Sequence, residues 1–106
     1  MLILFDQGTP APLRQFLPKH SVQTAYERGW STLKNGELLL AAETAPFEVL
    51  VTTDTKLKYQ QNLVGRKIAM IVLSTTSWPR IKASVELVVG AVDQATPGSY
   101  VEVAIP

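Results

Sequence analysis

Two short apolar runs of this chain each end in an aspartate. Residues 2–5 lead into Asp6, and residues 49–53 lead into Asp54. An apolar run of four or five residues that is closed by polar residues is typical of a strand buried on both faces. If the two strands lie in one parallel sheet, both carboxylates emerge at its carboxyl edge, where open α/β sheets bind ligands. The two aspartates are therefore the first candidates for chemistry.

Two glutamates are predicted to join them at that edge. Glu27 is expected to end the second strand, and Glu37 lies in the first turn of the next predicted helix. Clustered carboxylates repel one another unless a cation joins them, and Mg²⁺ or Mn²⁺ prefers oxygen ligands. Such an ion polarises a phosphoryl oxygen and activates a bound water, which is the chemistry of phosphodiester hydrolysis. We therefore predict Asp6, Asp54, Glu27 and Glu37 as metal ligands, the first three of them catalytic.

Each acid also has a purely structural interpretation. Asp54 can cap the helix that follows it, and Asp6 can be a turn residue before Gly8. A glutamate such as Glu37 is favoured in a first helical turn by the helix dipole alone. Both interpretations stay open at this point.

Other polar and aromatic residues are predicted in loops at the same edge. Lysine and arginine side chains there can steer a phosphate backbone, or they are ordinary surface charges. These residues are Arg28, Lys34, Lys56, Lys58 and Arg80. Asn35 can cap the following helix and offers a neutral carbonyl to a ligand. Trp30 and Trp78 can stack on bases, although core or dimer packing is the commoner use of tryptophan.

Strand and helix patterns alternate along the whole chain. Strands are predicted at residues 2–5, 21–27, 48–53, 67–73 and 100–105, and helices at 12–17, 36–45, 55–63 and 79–95. This alternation predicts an α/β fold with a largely parallel sheet and helices on both faces. The strand order 2-1-3-4-5 places the three continuously apolar strands in the centre. It makes the first and third strands neighbours, so Asp6 and Asp54 are expected roughly 5 Å apart in backbone terms.

The bulk properties predict one small domain covering residues 1–106. The net charge of +1 neither requires nor excludes a nucleic-acid partner, and the absence of cysteine excludes disulfides and thiolate metal sites. The first residues lack the basic region of a signal peptide, and no apolar run approaches the ~20 residues that span a bilayer. We therefore expect a soluble, cytoplasmic protein without a membrane partner.

Four segments resemble small bacterial PIN-like proteins. These are LFD at 4–6, AYERGW at 25–30, NGELL at 35–39 and VTTD at 51–54. The resemblance implies a three-layer α/β fold related to PIN nucleases of toxin–antitoxin systems, which cleave RNA with a metal-binding acidic cluster. In it, Asp6 matches the first-strand aspartate, Asp54 the aspartate of the Thr-x-Asp motif, and Glu27 the glutamate that ends the second strand. Relatives usually carry an aspartate at the position of Asn35, so one charge of that pattern is missing here.

Three functions follow from these expectations. The first is a Mg²⁺- or Mn²⁺-dependent endoribonuclease, with RNA, an antitoxin protein or a second copy of the chain as partner. The second is a catalytically degenerate PIN-like module that binds nucleic acid or protein. The third is a receiver-like phosphoacceptor domain, because Asp54 ends the third strand and Ser74 follows the fourth. Against it, the first strand supplies only one acid and the last strand ends without a lysine.

Overall fold

Five parallel strands form one sheet in the order β2-β1-β3-β4-β5. The strands are β1 (Leu2–Phe5), β2 (Ser21–Thr24), β3 (Val49–Thr52), β4 (Ala69–Leu73) and β5 (Tyr100–Val103). The computed structural model describes residues 1–60 and 63–106, with Asn35 and Gln60 described by their backbone only. The predicted fold class and strand order are confirmed.

Helical segments connect the strands and cover both faces of the sheet. They are a 3₁₀ helix (Ala11–Phe16), α1 (Asn35–Thr44), α2 (Leu57–Gln60), α3 (Trp78–Ala83) and α4 (Val85–Asp93). Across the described ranges, no helix is both long and apolar enough to cross a membrane.

The central strands are buried on both faces because their side chains alternate between two apolar cores. Ile3 and Phe5 of β1 pack with the 3₁₀ helix, α3 and α4, in what we call the first core. Leu4 packs with α1 and α2 on the opposite face, in the second core. Every residue of β3 and β4 is buried, whereas β2 and β5 are partly exposed, as expected for edge strands.

Strand β2 is shorter than predicted, and Glu27 does not end it. The strand stops at Thr24 and the chain turns over residues 25–29. The Thr24 N–H donates to Glu27 Oε1 at 2.9 Å, and the Glu27 N–H donates to Thr24 Oγ1 at 3.1 Å. Gly29 completes the turn with a φ of 74°, a value that other residues rarely adopt. This local hydrogen bonding competes with strand extension.

Two predictions about helices are wrong. The predicted helix 79–95 is two helices, because the backbone leaves the helical region at Ser84, with φ −125° and ψ 31°. Serine is unfavourable in helix interiors, and the buried residues Ile81, Val88 and Val92 keep their spacing across the break. Lys34, not Asn35, occupies the N-cap position of α1, without a side-chain capping hydrogen bond, and Asn35 is the first helical residue. The side chain of Asn35 lies outside the described part, so its role in binding stays a prediction.

Candidate functional site

Two buried threonine hydroxyls hold the carboxylate of Asp6 at the carboxyl edge. Thr9 Oγ1 lies 2.6 Å from Asp6 Oδ1, and Thr52 Oγ1 lies 2.5 Å from Asp6 Oδ2. Thr9 is 6% exposed and Thr52 is 2% exposed, so water competes little for these hydroxyls. Thr9 Oγ1 also lies 2.9 Å from the Val51 carbonyl oxygen, so its single hydroxyl proton is shared between that carbonyl and Asp6, which ties the loop after β1 to β3. The orientation of the Asp6 carboxylate is therefore fixed from two sides.

Asp54 follows the neighbouring strand, but it is not level with Asp6. Phe5 pairs with Val51, so Thr52 is the residue beside Asp6. Asp54 lies two residues further along the chain, which corresponds to about 6.6 Å if the strand continued. The two aspartates are therefore offset by two residues along the chain, and their separation of roughly 5 Å stays a prediction.

A single hydroxyl nevertheless links the two aspartates. The Asp54 N–H donates to Thr52 Oγ1 at 3.0 Å, and this is the oxygen that contacts Asp6. Asp54 Oδ1 in turn accepts from the Lys56 N–H at 3.0 Å.

Glu27 reaches the same edge in a different state from the one predicted. Its carboxylate accepts hydrogen bonds from the Thr24 N–H and from the guanidinium of Arg14, which approaches to 2.9 Å. These two donors, the backbone N–H first, lower the pKa of Glu27 from its ordinary value of 4.5. Glu27 is therefore a stably charged partner of Arg14.

The other predicted acid and the predicted phosphate-steering side chains have separate places. Glu37 is exposed in the first turn of α1, where its Oε1 accepts from the Lys34 N–H at 3.3 Å. The Arg28 guanidinium stacks over the Trp30 ring at 4.7 Å, and it lies 5.5 Å from the Phe47 ring centroid. Both rings belong to the second core, so Trp30 is a packing residue there.

Lys56 and Arg80 differ in their availability. The side chain of Lys56 is exposed at the start of α2. Arg80 Nε donates to the Pro106 carbonyl at 3.0 Å, and its terminal nitrogen donates to the Ile105 carbonyl at 3.1 Å. Arg80 thus holds the last residues of the chain, with Ser74 accepting the Ile105 N–H at 2.8 Å.

A cleft of about 680 Å³ opens at the carboxyl edge, on the side of the first core. Residues that follow three different strands line it. The side chains that matter for chemistry are Asp6, Arg14, Tyr26, Glu27, Thr76 and Trp78. The cleft therefore brings together Asp6 and Glu27 of the predicted acids. Asp54 is not among its lining residues, and Glu37 lies in the first turn of α1, which packs on the second core.

The residues present fit one kind of metal site and not another. Among the described residues, no three His, Asp or Glu side chains come close enough together to hold a metal ion. A preformed cage of four carboxylates is therefore not assembled. Mg²⁺, however, is commonly held by one or two carboxylates together with waters and substrate phosphates. A carboxylate has about four lone-pair positions, so Asp6 keeps acceptor capacity beyond its two hydroxyl contacts.

Sequence reasoning missed several residues of this edge. Thr9 and Thr52 orient Asp6, and Arg14 pairs with Glu27. Tyr26 lines the cleft and is 76% exposed. The polar Thr52 at the end of an apolar run was the available signal for one of them. Arg14 gave no signal, because its partner is 13 residues away in a turn.

A second cavity, of about 540 Å³, opens at the opposite edge of the sheet. Its walls are mostly apolar, and Phe47, Val49 and Ile68 are among them. Of its acids, Glu43 pairs with the guanidinium of Arg66, and Glu48 accepts the Leu2 N–H at 3.0 Å. We place the candidate site at the carboxyl edge, because that cleft contains the oriented carboxylate and open parallel sheets bind ligands there.

Comparison of the chain with protein-family models, with curated proteins and with solved structures gave no match. The resemblance to PIN-like proteins thus stays a prediction from the four sequence segments.

Proposed function

We propose that the cleft binds RNA and that Asp6 and Asp54 act with Mg²⁺ or Mn²⁺ to hydrolyse its phosphodiester bonds. The observation that carries this proposal is the Asp6 carboxylate. It is partly buried in a cleft, oriented by two threonine hydroxyls, and linked through Thr52 to the backbone N–H of Asp54. A carboxylate held in this way presents its remaining lone pairs in a fixed direction.

Asp6 and Asp54 are the residues that would hold the metal ion. When bound, such an ion polarises a phosphoryl oxygen and lowers the pKa of a coordinated water. Thr9 and Thr52 keep the Asp6 carboxylate in place without a costly rearrangement. The two aspartates are thus the chain's own contribution to the reacting centre.

Arg14 is the cation of the cleft that is best placed for a phosphate. Its guanidinium lies beside Glu27, and a planar guanidinium matches phosphate oxygens in a two-point contact. Glu27 accepts from both Arg14 and the Thr24 N–H, so we assign it the positioning of Arg14. On this assignment Glu27 acts on substrate binding, whereas Asp6 acts on the chemical step.

Turnover of a fluorogenic single-stranded RNA in Mn²⁺ tests the proposal. Asp6→Asn and Asp54→Asn should each abolish turnover. Glu27→Gln should raise KM more than it lowers kcat, because it releases Arg14. Glu37→Gln is the matched control, since among the described residues that carboxylate accepts from the Lys34 N–H at the start of α1, and it should retain the parent rate within about twofold. Equal turnover by the parent, Asp6→Asn and Asp54→Asn rejects a hydrolytic role for the pair.

A binding module without catalysis is the second candidate function. The observation in its favour is that Asp6, Glu27 and Glu37 each accept hydrogen bonds from within the chain. Carboxylates engaged in this way stabilise the edge even if no metal ion binds. This function predicts RNA binding of equal affinity in Mn²⁺ and in EDTA, with no cleavage product after prolonged incubation.

A further inference from the structure

Tyr26 is an aromatic side chain that the fold holds out into solvent beside the cleft. The residue is 76% exposed, although the preceding residue, Ala25, is buried in the second core. An exposed tyrosine is unremarkable when it lies on a loose loop far from other features. This one lines the same cleft as Asp6.

The turn that carries Tyr26 is closed by backbone hydrogen bonds on both sides. The Ala25 N–H donates to the Phe5 carbonyl at 2.8 Å, and the Trp30 N–H donates to the Ala25 carbonyl at 2.8 Å. The Gly29 N–H donates to the Tyr26 carbonyl at 3.0 Å. The backbone that presents the ring is therefore already ordered, so a ligand that stacks on it loses little additional conformational entropy.

A second ring lines the cleft from another element. Trp78 is the first residue of α3, and its ring packs against Phe16 with a centroid separation of 6.0 Å. Tyr26 follows β2 and Trp78 follows β4, and two strands lie between those in the sheet. The carboxyl ends of β2 and β4 are therefore three strand spacings apart, or about 14 Å. The cleft thus extends over several strand ends, with Asp6 and Arg14 among its residues.

We propose that Tyr26 is a base-stacking residue that makes the cleft select unpaired nucleotides over duplex. The proposal rests on the proposed function for the identity of the ligand. An exposed aromatic ring that lines the same cleft as a guanidinium matches a nucleotide, which offers a flat base and a charged phosphate. A base inside a duplex has both faces covered by its neighbours and cannot stack on Tyr26.

The test is a binding measurement in EDTA, where cleavage by a metal-dependent site does not interfere. Fluorescence anisotropy of a labelled single-stranded RNA is compared for the parent, Tyr26→Ala, Tyr26→Phe and Tyr59→Ala. Tyr59 is the matched control, because it is a tyrosine of similar exposure, 79%, that does not line the cleft. We expect Tyr26→Ala to weaken binding by about 5- to 150-fold, the range found for loss of one stacked base. Tyr26→Phe and Tyr59→Ala should bind within about twofold of the parent.

Two further probes separate stacking from a general loss of contact. The parent should bind a duplex RNA of the same sequence more weakly than the single-stranded RNA. Tyr26→Ala should bind that duplex with the same affinity as the parent does. A single-stranded RNA made abasic throughout should also fail to distinguish the parent from Tyr26→Ala. Equal loss of affinity for abasic and intact RNA would show that Tyr26 does not act by stacking, and so overturn the proposal. So would equal binding by Tyr26→Ala and Tyr59→Ala, or no RNA binding by the parent.

The outcome is distinguishable from failure of the proposed function. Selective weakening by Tyr26→Ala together with no Mn²⁺-dependent turnover supports the stacking residue and rejects hydrolysis. Turnover that depends on Asp6 but is unaffected by Tyr26→Ala, with unchanged RNA affinity, supports hydrolysis and rejects the stacking residue.

Discussion

Removing the Thr52 hydroxyl deletes the hydrogen-bonded link between Asp6 and Asp54 with little change in side-chain shape. Thr52→Val keeps the branched side chain in its buried position at the end of β3, where Thr52 is 2% exposed. It deletes the contact of 2.5 Å with Asp6 Oδ2 and the acceptor of the Asp54 N–H at 3.0 Å. The substitution therefore tests whether this hydroxyl organises the edge.

The expected magnitude follows from those two contacts. A hydrogen bond to a charged group contributes about 1.5–3 kcal/mol, and a neutral one about 1 kcal/mol. Asp6 and Asp54 are partly exposed, so water replaces part of what is lost. We expect the free energy of unfolding to fall by about 2 kcal/mol. With an unfolding entropy of about 2.1 cal/mol/K per residue, a chain of 106 residues loses about 9 °C in Tm.

Thermal and urea unfolding followed by circular dichroism measure this change. Thr53→Val is the control, because it makes the same chemical change at the next residue, outside the Asp6 contacts. The RNA turnover of Thr52→Val should also fall at least tenfold, since Asp6 loses one of its two orienting hydroxyls. If Thr52→Val and Thr53→Val have the same Tm and turnover, the hydroxyl does not organise the site.

Three further predictions concern the surroundings of the site. The pKa of Glu27 is lower in the folded protein than its ordinary value of 4.5. This difference stabilises the fold at pH values above 4.5, and the stabilisation is lost as the pH falls through the pKa of the folded state. Glu27→Gln should therefore flatten the acid side of the Tm–pH profile, and an unchanged profile would contradict the pairing with Arg14. The Arg80 guanidinium holds the last residues of the chain, so Arg80→Gln should speed amide hydrogen exchange at Ile105. RNA affinity should stay within about twofold of the parent. A large loss of affinity would instead place Arg80 in the binding surface. Gly98→Ala should lower the free energy of unfolding by about 1–2 kcal/mol. The reason is that the φ of Gly98 is +78° and that the added Cβ would lie 3.0 Å from a backbone carbonyl oxygen. Unchanged urea unfolding would contradict the left-handed conformation at this residue.

The sequence carried enough information for the sheet, because continuous apolar runs allow few alternatives. The segments that became β1 and β4 are apolar throughout, and β3 is apolar up to the buried Thr52 at its end, which is expected where both faces of a strand are covered. The order 2-1-3-4-5 places these strands in the centre, and it is the order that the sheet has. The break at Ser84 was not predictable in the same way, since the spacing of buried residues continues across it.

The candidate site was predictable only in part. The strand ends of β1 and β3 fixed which edge Asp6 and Asp54 share, but the exact pairing of Phe5 with Val51 determines their offset of two residues. No local pattern in the sequence gives that register. Glu27 was misplaced because its reciprocal hydrogen bonds with Thr24 end the strand early, and alternation alone cannot reveal such a turn.

The central claim is that Asp6 and Asp54 together hold a divalent ion once a phosphate is present. Isothermal titration of Mn²⁺ into the protein with a non-cleavable single-stranded RNA measures this directly. We expect one ion per chain, bound more tightly with the RNA than without it, and lost in both Asp6→Asn and Asp54→Asn. Asp93 is the control, because its carboxylate lies 3.6 Å from His20 and outside the cleft. Asp93→Asn should bind Mn²⁺ as the parent does. Mn²⁺ binding that survives in Asp6→Asn would show that the Asp6 carboxylate does not hold the ion.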